Sequence, residues 1–196
     1  STREFFRAAS VAFILQWLPT YLQRVYVVTK AQGADMTGFV MTAFAAGIIP
    51  GGRIVDWLYH RTGSKWASRS LFPAVAFCGC GVCLAGALFA NSANAATACI
   101  CGGMFLAGAL LPAVWAGVLD IGGRRSGIVL GLMNMMGTAG DALCNIACGR
   151  HADLIRHNDW YWAWFVVPVI AYNFIAAGFS LLINPDRPVP DASSSS

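Results

Sequence analysis

The sequence predicts an all-α integral membrane protein, a bundle of six transmembrane helices arranged as two inverted three-helix repeats. Composition is the first reason. Of the 196 residues, 57% are hydrophobic and 11% charged, and the mean hydropathy is +0.60, which leaves too little polar surface for a domain whose solvent is water. The second is run length: the apolar residues gather into stretches near the roughly 20 that a helix needs to cross the hydrocarbon core. Inside lipid every backbone N–H and C=O needs an internal partner, and these runs are too long and alternate too little for barrel strands. The third is an internal echo. Gly52, Arg53 and Asp56 at the end of the second run recur as Gly149, Arg150 and Asp153 at the end of the fifth. The echo divides one six-helix domain, residues 1–185, into units of roughly 1–91 and 94–185, and an odd number of spans in each unit forces the second to insert inverted.

The first span, Phe5 to Val28, places Gln16, Thr20 and Gln23 at i, i+4 and i+7 on one face, with Trp17, Tyr21 and Arg24 on the adjoining strip. Pro19 removes a backbone hydrogen bond and clashes one turn back, which predicts a kink. Arg24 either attracts an anion or snorkels to the outer surface. The second span, Met36 to Leu58, carries Gly47 and Gly51 at the small-xxx-small spacing that lets helices approach closely. The third, Ser70 to Ala90, holds Cys78, Cys80 and Cys83. At about 100° per residue Cys80 lies about 200° around the helix from Cys78, so these thiols do not converge on one ion. They read as small packing residues, and neither a metal nor a cofactor is expected.

The fourth span, Ala95 to Leu119, ends beside Trp115 and Asp120. The fifth, Gly127 to Cys148, repeats the small-xxx-small spacing at Gly127 and Gly131, and its Cys144 and Cys148 share a face. Its strongest signal is polar. Asn134, Thr138, Asp141 and Asn145 fall at i, i+4, i+7 and i+11 on one narrow face. A carboxylate at the bilayer centre costs about 2.5–3.5 kcal/mol on insertion scales, so this face either lines a substrate path or hydrogen-bonds to another helix. Asp141 is a candidate carrier of a coupled proton; a pair with Arg24 and a neutral hydrogen-bonded acid are the structural alternatives. The sixth span runs from Trp160 to Ile183, and residues 186–196, rich in Pro and Ser, are expected to be a disordered cytoplasmic tail.

With both termini inside, the cytoplasmic side collects Arg3, Arg7, Arg53, Arg61, Lys65, Arg69, Arg124, Arg125 and Arg187, leaving Arg24, Lys30, Arg150 and Arg156 outside. Cytoplasmic loops are enriched in Lys and Arg, so this orientation is the expected one. The net charge of +4 is therefore a topology signal, and no basic, aromatic-interleaved patch points to nucleic acid. Trp57, Trp66, Trp160, Trp162 and Trp164 lie near the expected bilayer interfaces. The first span is too long and too polar for a cleavable signal peptide. The chain opens on Ser1 with almost no leader, and the expectation is a piece whose upstream part is absent.

The loop from Gly52 to Gly63, with Asp56 and Arg61 between them, resembles the signature loop of the major facilitator superfamily. Within it, four pieces in order resemble the C-terminal half of the anion:cation symporters of hexuronate, galactonate and sialic acid: the WLPTYL run of Trp17 to Leu22, the Gly52 to Gly63 loop, WAGVLDI from Trp115 to Ile121, which includes Asp120, and GLMN at Gly131 to Asn134. They cover most of the chain. The resemblance implies half of a twelve-helix transporter in a bacterial inner (plasma) membrane, paired with a six-helix N-terminal half absent from this chain. Such a transporter moves a small organic anion, with H⁺ as the expected coupling ion, by alternating access. Its substrate path here would be Gln16, Thr20, Tyr21, Trp115, Asn134, Thr138, Asp141 and Asn145, with Asn134 where the family places a substrate-contacting Asn. Its cytoplasmic gate would be Gly52, Asp56, Arg61 and Gly63, with Asp56 facing a helix N-terminus of the other half, whose dipole favours a carboxylate. Two residues depart from the pattern: Tyr59 stands at a commonly glycine position, and Asp141 at a commonly small one.

The organophosphate:phosphate antiporters are a close alternative, and a membrane-bound sensor of similar build is a third. An enzyme is the fourth reading, resting on His151 with Asp153 and His157 with Asp159 as acid–base pairs. No nucleophile, glycine cradle or metal set accompanies them, so no enzymatic activity is expected.

Overall fold

The computed structural model describes residues 2–157 and 166–182. They form seven α-helices: α1 Thr2–Tyr26, α2 Lys30–Thr62, α3 Phe72–Leu88, α4 Ala93–Ala109, α5 Leu111–Gly122, α6 Ser126–His157 and α7 Val167–Leu182. Among the described residues there is no strand. Trp160, Trp162, Trp164, Asp159 and the tail from residue 186 lie outside the described residues, and so does the side chain of His157.

The ends of the helices follow from local chemistry. Thr29 and Gln32 make a capping box, Gln32 N–H donating to Thr29 Oγ1 at 3.3 Å and Thr29 N–H to Gln32 Oε1 at 3.0 Å. These bonds start α2 at Lys30, six residues before the apolar run from Met36. Gly63, in the left-handed region at φ 64°, ends it, its N–H donating to Tyr59 O at 2.8 Å. Ser92 Oγ accepts from Ala95 N–H at 3.2 Å and opens α4. The expected fourth span is two helices, because Pro112 at the start of α5 has no N–H to give. The turn at Leu110 joins them through Leu110 N–H to Leu106 O and Val114 N–H to Leu110 O, at 3.1 and 3.2 Å. Ahead of α3, Ala67–Leu71 form a π-helical turn closed by Phe72 N–H to Ala67 O. By contrast α1 is continuous through Pro19.

Four stretches are long and apolar enough to cross a membrane: Lys30–Thr62, Ala67–Leu88, Ala93–Asp120 and Ser126–Ile155. The described part of α7 is apolar and shorter. α1 has 25 residues but a more polar sequence, with Gln16, Gln23 and Arg24 in its second half. The chain is a multi-pass, all-helical membrane protein.

The broadest interfaces are α2 with α4 and α1 with α6, followed by α3 with α4 and with α7. At the α2–α4 crossing the backbones almost touch. A Cβ on Gly47 would collide with the carbonyl of Phe105, one on Gly51 with the backbone of Ala109, and one on Gly108 with the carbonyl of Phe44. The second small-xxx-small pair is different: Cβ atoms on Gly127 and Gly131 would meet nothing within 4 Å. Cysteines fill the α3–α4 seam beside glycines, a Cβ on Gly102 lying 3.5 Å from Cys83 Sγ and one on Gly86 lying 3.6 Å from Cys99 Sγ.

One apolar cluster, including Ile14, Leu18, Leu22, Leu84 and Ile100, binds α1, α3 and α4; a second, around Phe77, Leu110, Val114 and Met133, lies between α3, α5 and α6. Burial is uneven. The most apolar windows of α2 and α6 are 22% and 17% buried, against 44% for Ala67–Leu88 and 56% for Ala93–Asp120, so α2 and α6 present the open faces of the bundle.

Candidate functional site

Where α1 meets α6, the polar residues of both helices join. Asn145 Nδ2 donates to Asp141 Oδ1 at 2.7 Å and to Asp141 O at 3.0 Å. Trp17 Nε1 donates to Asn145 Oδ1 at 3.1 Å, and Gln16 Nε2 reaches Asp141 Oδ1 at 3.4 Å. An indole N–H only donates, so the Asn145 amide turns its oxygen to Trp17 and its nitrogen to Asp141. The bond from Asn145 Nδ2 to Asp141 Oδ1 is the shortest of the four. Asp141 and Asn145 are half-buried, and Gln16 is exposed at the rim. The result is a half-buried carboxyl group bonded to one side-chain amide and within reach of a second.

The remaining expected path residues distribute around this bridge. Thr138 and Asn134, one and two turns before Asp141, are exposed, and Thr138 Oγ1 donates to Asn134 O at 3.0 Å. Trp115, on α5, is 48% exposed. Thr20 is half-buried. Tyr21 is not on an open face: it is fully buried, its ring edge-on to Tyr26 with centroids 6.4 Å apart. Trp17, placed by sequence only on an adjoining strip, is the residue that ties α1 to Asn145.

At the far end of α2, Gly63 is the helix cap, and Gly52 lies in ordinary contact with Pro112, 3.8 Å from where its Cβ would be. Asp56 is exposed, and Arg61 lies over the Trp57 ring, 5.6 Å from its centroid. Among the described residues no ion pair joins Asp56 to Arg61. The ion pair of this region is Arg69 Nε with Asp120 Oδ2, between the π-helical turn and the end of α5, with side chains 14% and 23% exposed. Arg69 also stands 5.8 Å from the Tyr59 ring centroid, so one guanidinium connects the ends of α2 and α5 with the start of α3. A hydrophobic span boundary gives no hint that these two charges meet.

No family model matches the chain. Over 147 residues, 75% of its length, it is 25% identical to the sodium-dependent phosphate transport protein 1, chloroplastic, of Arabidopsis thaliana. The chain spans 28% of the length of that relative. Together with the apolar helices, this similarity to a transport protein agrees with a multi-pass integral membrane protein.

Proposed function

We propose that the chain is the C-terminal half of a secondary transporter for small anions, working by alternating access, with both termini on the cytoplasmic side. The observation that carries this reading is the α1–α6 bridge: a half-buried carboxylate, ordered by Gln16 and Asn145, on a helix face that continues through exposed Thr138 and Asn134. Such an intramembrane polar face has a cost that a function must offset. A sugar acid or similar organic anion with H⁺ as coupling ion is the reading of the sequence motifs. A phosphate substrate with Na⁺ coupling is the second, favoured by the relative, which is named for sodium-dependent phosphate transport.

The helix pairing supports an internal two-fold repeat. Exchanging α1, α2 and α3 for the α4–α5 pair, α6 and α7 turns the α1–α6 interface into α4–α2 and the α1–α7 interface into α4–α3, and leaves α3–α7 unchanged. The open faces of α2 and α6 would then receive the opposing half, and Asp56 with Arg61 would act toward it at the cytoplasmic gate. The test is uptake into proteoliposomes of the full-length transporter, comparing phosphate with a hexuronate under imposed H⁺ or Na⁺ gradients. Gradient-driven accumulation of either anion supports the reading, and the successful pair identifies substrate and ion. Absence of accumulation under all four conditions removes it.

A further inference from the structure

Cys144 and Cys148 lie one turn apart on α6, with sulfurs 3.7 Å from each other. Neither is in a disulfide, and they are 4% and 8% exposed. They belong to the buried cluster that holds Ile14 and Leu18 of α1 and Val169 of α7, with Tyr172 packed against it. Cys144 also sits between Asp141 and Asn145 in the helix, so the pair backs onto the polar bridge.

The spacing of the sulfurs discriminates between chemistries. A disulfide needs S–S near 2.05 Å with Cβ atoms about 3.5–4.5 Å apart, whereas one turn of helix holds them about 5–6 Å apart. Closing it would break α6. Two thiolates on a common ion at about 2.3 Å, with a tetrahedral angle between them, stand about 3.8 Å apart, so the two sulfurs, in hydrogen-bonding contact at 3.7 Å, need move little to share one. Among the described residues no group of three or more His, Cys, Asp and Glu is placed to hold a metal. A closed four-ligand zinc centre is therefore not what these residues make, and the geometry suits ions that bind well through two sulfurs.

We propose that Cys144 and Cys148 form a dithiol site for soft, thiophilic metal or metalloid ions, the class that includes Cu(I) and trivalent arsenic. Thiolates select this class over the hard cations Mg²⁺ and Ca²⁺. With phenylarsine oxide as probe, two As–S bonds form and the bonds from arsenic to its oxide oxygen break. The two thiol protons leave with that oxygen as one water, and arsenic stays trivalent, so no oxidant or reductant takes part.

The purified, reduced full chain in detergent is treated with phenylarsine oxide, washed with excess monothiol and read by intact mass. One arsenic is expected to remain per chain and to be removed by a 1,2-dithiol. Cys144→Ala and Cys148→Ala, each eluting from size exclusion as the parent chain does, should each lower retention at least tenfold. A chain with Cys78, Cys80, Cys83, Cys99 and Cys101 all replaced by alanine should keep the adduct, and this arm leaves α6 untouched. Loss of the adduct from the parent chain on the monothiol wash, its persistence in either single variant, or its disappearance from the five-alanine chain would each overturn the assignment.

Discussion

Asn145 accepts from an indole and donates to a carboxylate, and this double engagement is measurable. Trp17→Phe keeps the ring and removes the N–H, leaving Asn145 Oδ1 without its donor. An intramolecular hydrogen bond contributes about 0.5–1.5 kcal/mol net, so thermal unfolding in detergent should register a loss of that size. Asn145→Ala should make the Trp17→Phe loss smaller, since the two changes remove one shared bond; equal losses in both backgrounds would mean that the bond is absent in solution. Asp141→Asn keeps an acceptor oxygen beside Gln16 and Asn145 but removes the group that could bind and release a proton. If Asp141 carries the coupled proton, this variant of the full-length transporter loses proton-driven accumulation while anion exchange survives. Unchanged proton-driven uptake excludes Asp141 from coupling. The 3.6-residue period already placed Asn134, Thr138, Asp141 and Asn145 on one face. Period alone orders residues around a single helix, however, and does not say which neighbour that face meets: it puts Trp17 and Tyr21 on one strip without showing that the first bonds to Asn145 and the second fills the core.

Helix α2 crosses α4 without room for a methyl group at Gly47 or Gly51. Gly47→Ala sets a Cβ against a backbone carbonyl, which no rotamer change relieves, so destabilisation of about 1–3 kcal/mol or more is expected. Gly131→Ala, with open space around it, should be neutral or slightly stabilising through helix propensity. The two alanine variants compared by melting temperature separate a packing glycine from a permissive one; equal shifts would contradict the crossing. Sequence spacing marks both glycine pairs alike, because it reports a small face and not whether a neighbour uses it. The same limit hides the π-helical turn at Ala67–Leu71, whose extra residue per turn leaves no compositional mark. That turn carries Arg69 to Asp120. Removing one member of a largely buried pair leaves the other charge poorly compensated, at a cost of about 3 kcal/mol or more. Asp120→Ala should therefore lower stability, and Asp120→Arg combined with Arg69→Asp should recover part of the loss. No recovery in the exchanged pair would mean that the contact contributes through shape and not through charge.

At the scale of the whole molecule the apolar runs were legible from sequence, since a bilayer demands length and hydropathy and both can be counted. What each run faces was not, and it lies in the shallow burial of α2 and α6. If the chain is half of a transporter, as proposed, then expressed alone it is expected to insert in the membrane and to give no uptake above background; uptake by the isolated chain would show that it makes a complete pathway by itself. The ends of α3 add a constraint of another kind. At one end Tyr26 Oη donates toward Ala87 O and Ala90 O, at 3.3 and 3.1 Å, joining α3 to the end of α1. At the other, the turn leading into α3 is joined to α5 through Arg69 and Asp120. A helix fastened to different neighbours at its two ends cannot tilt alone. Its 22-residue stretch, Ala67–Leu88, rises about 33 Å at 1.5 Å per residue, close to the thickness of an average hydrocarbon core. Lipids with shorter or longer acyl chains must then be met by leaning the whole bundle or by deforming the bilayer, which makes acyl-chain length a variable that acts on all the helices together.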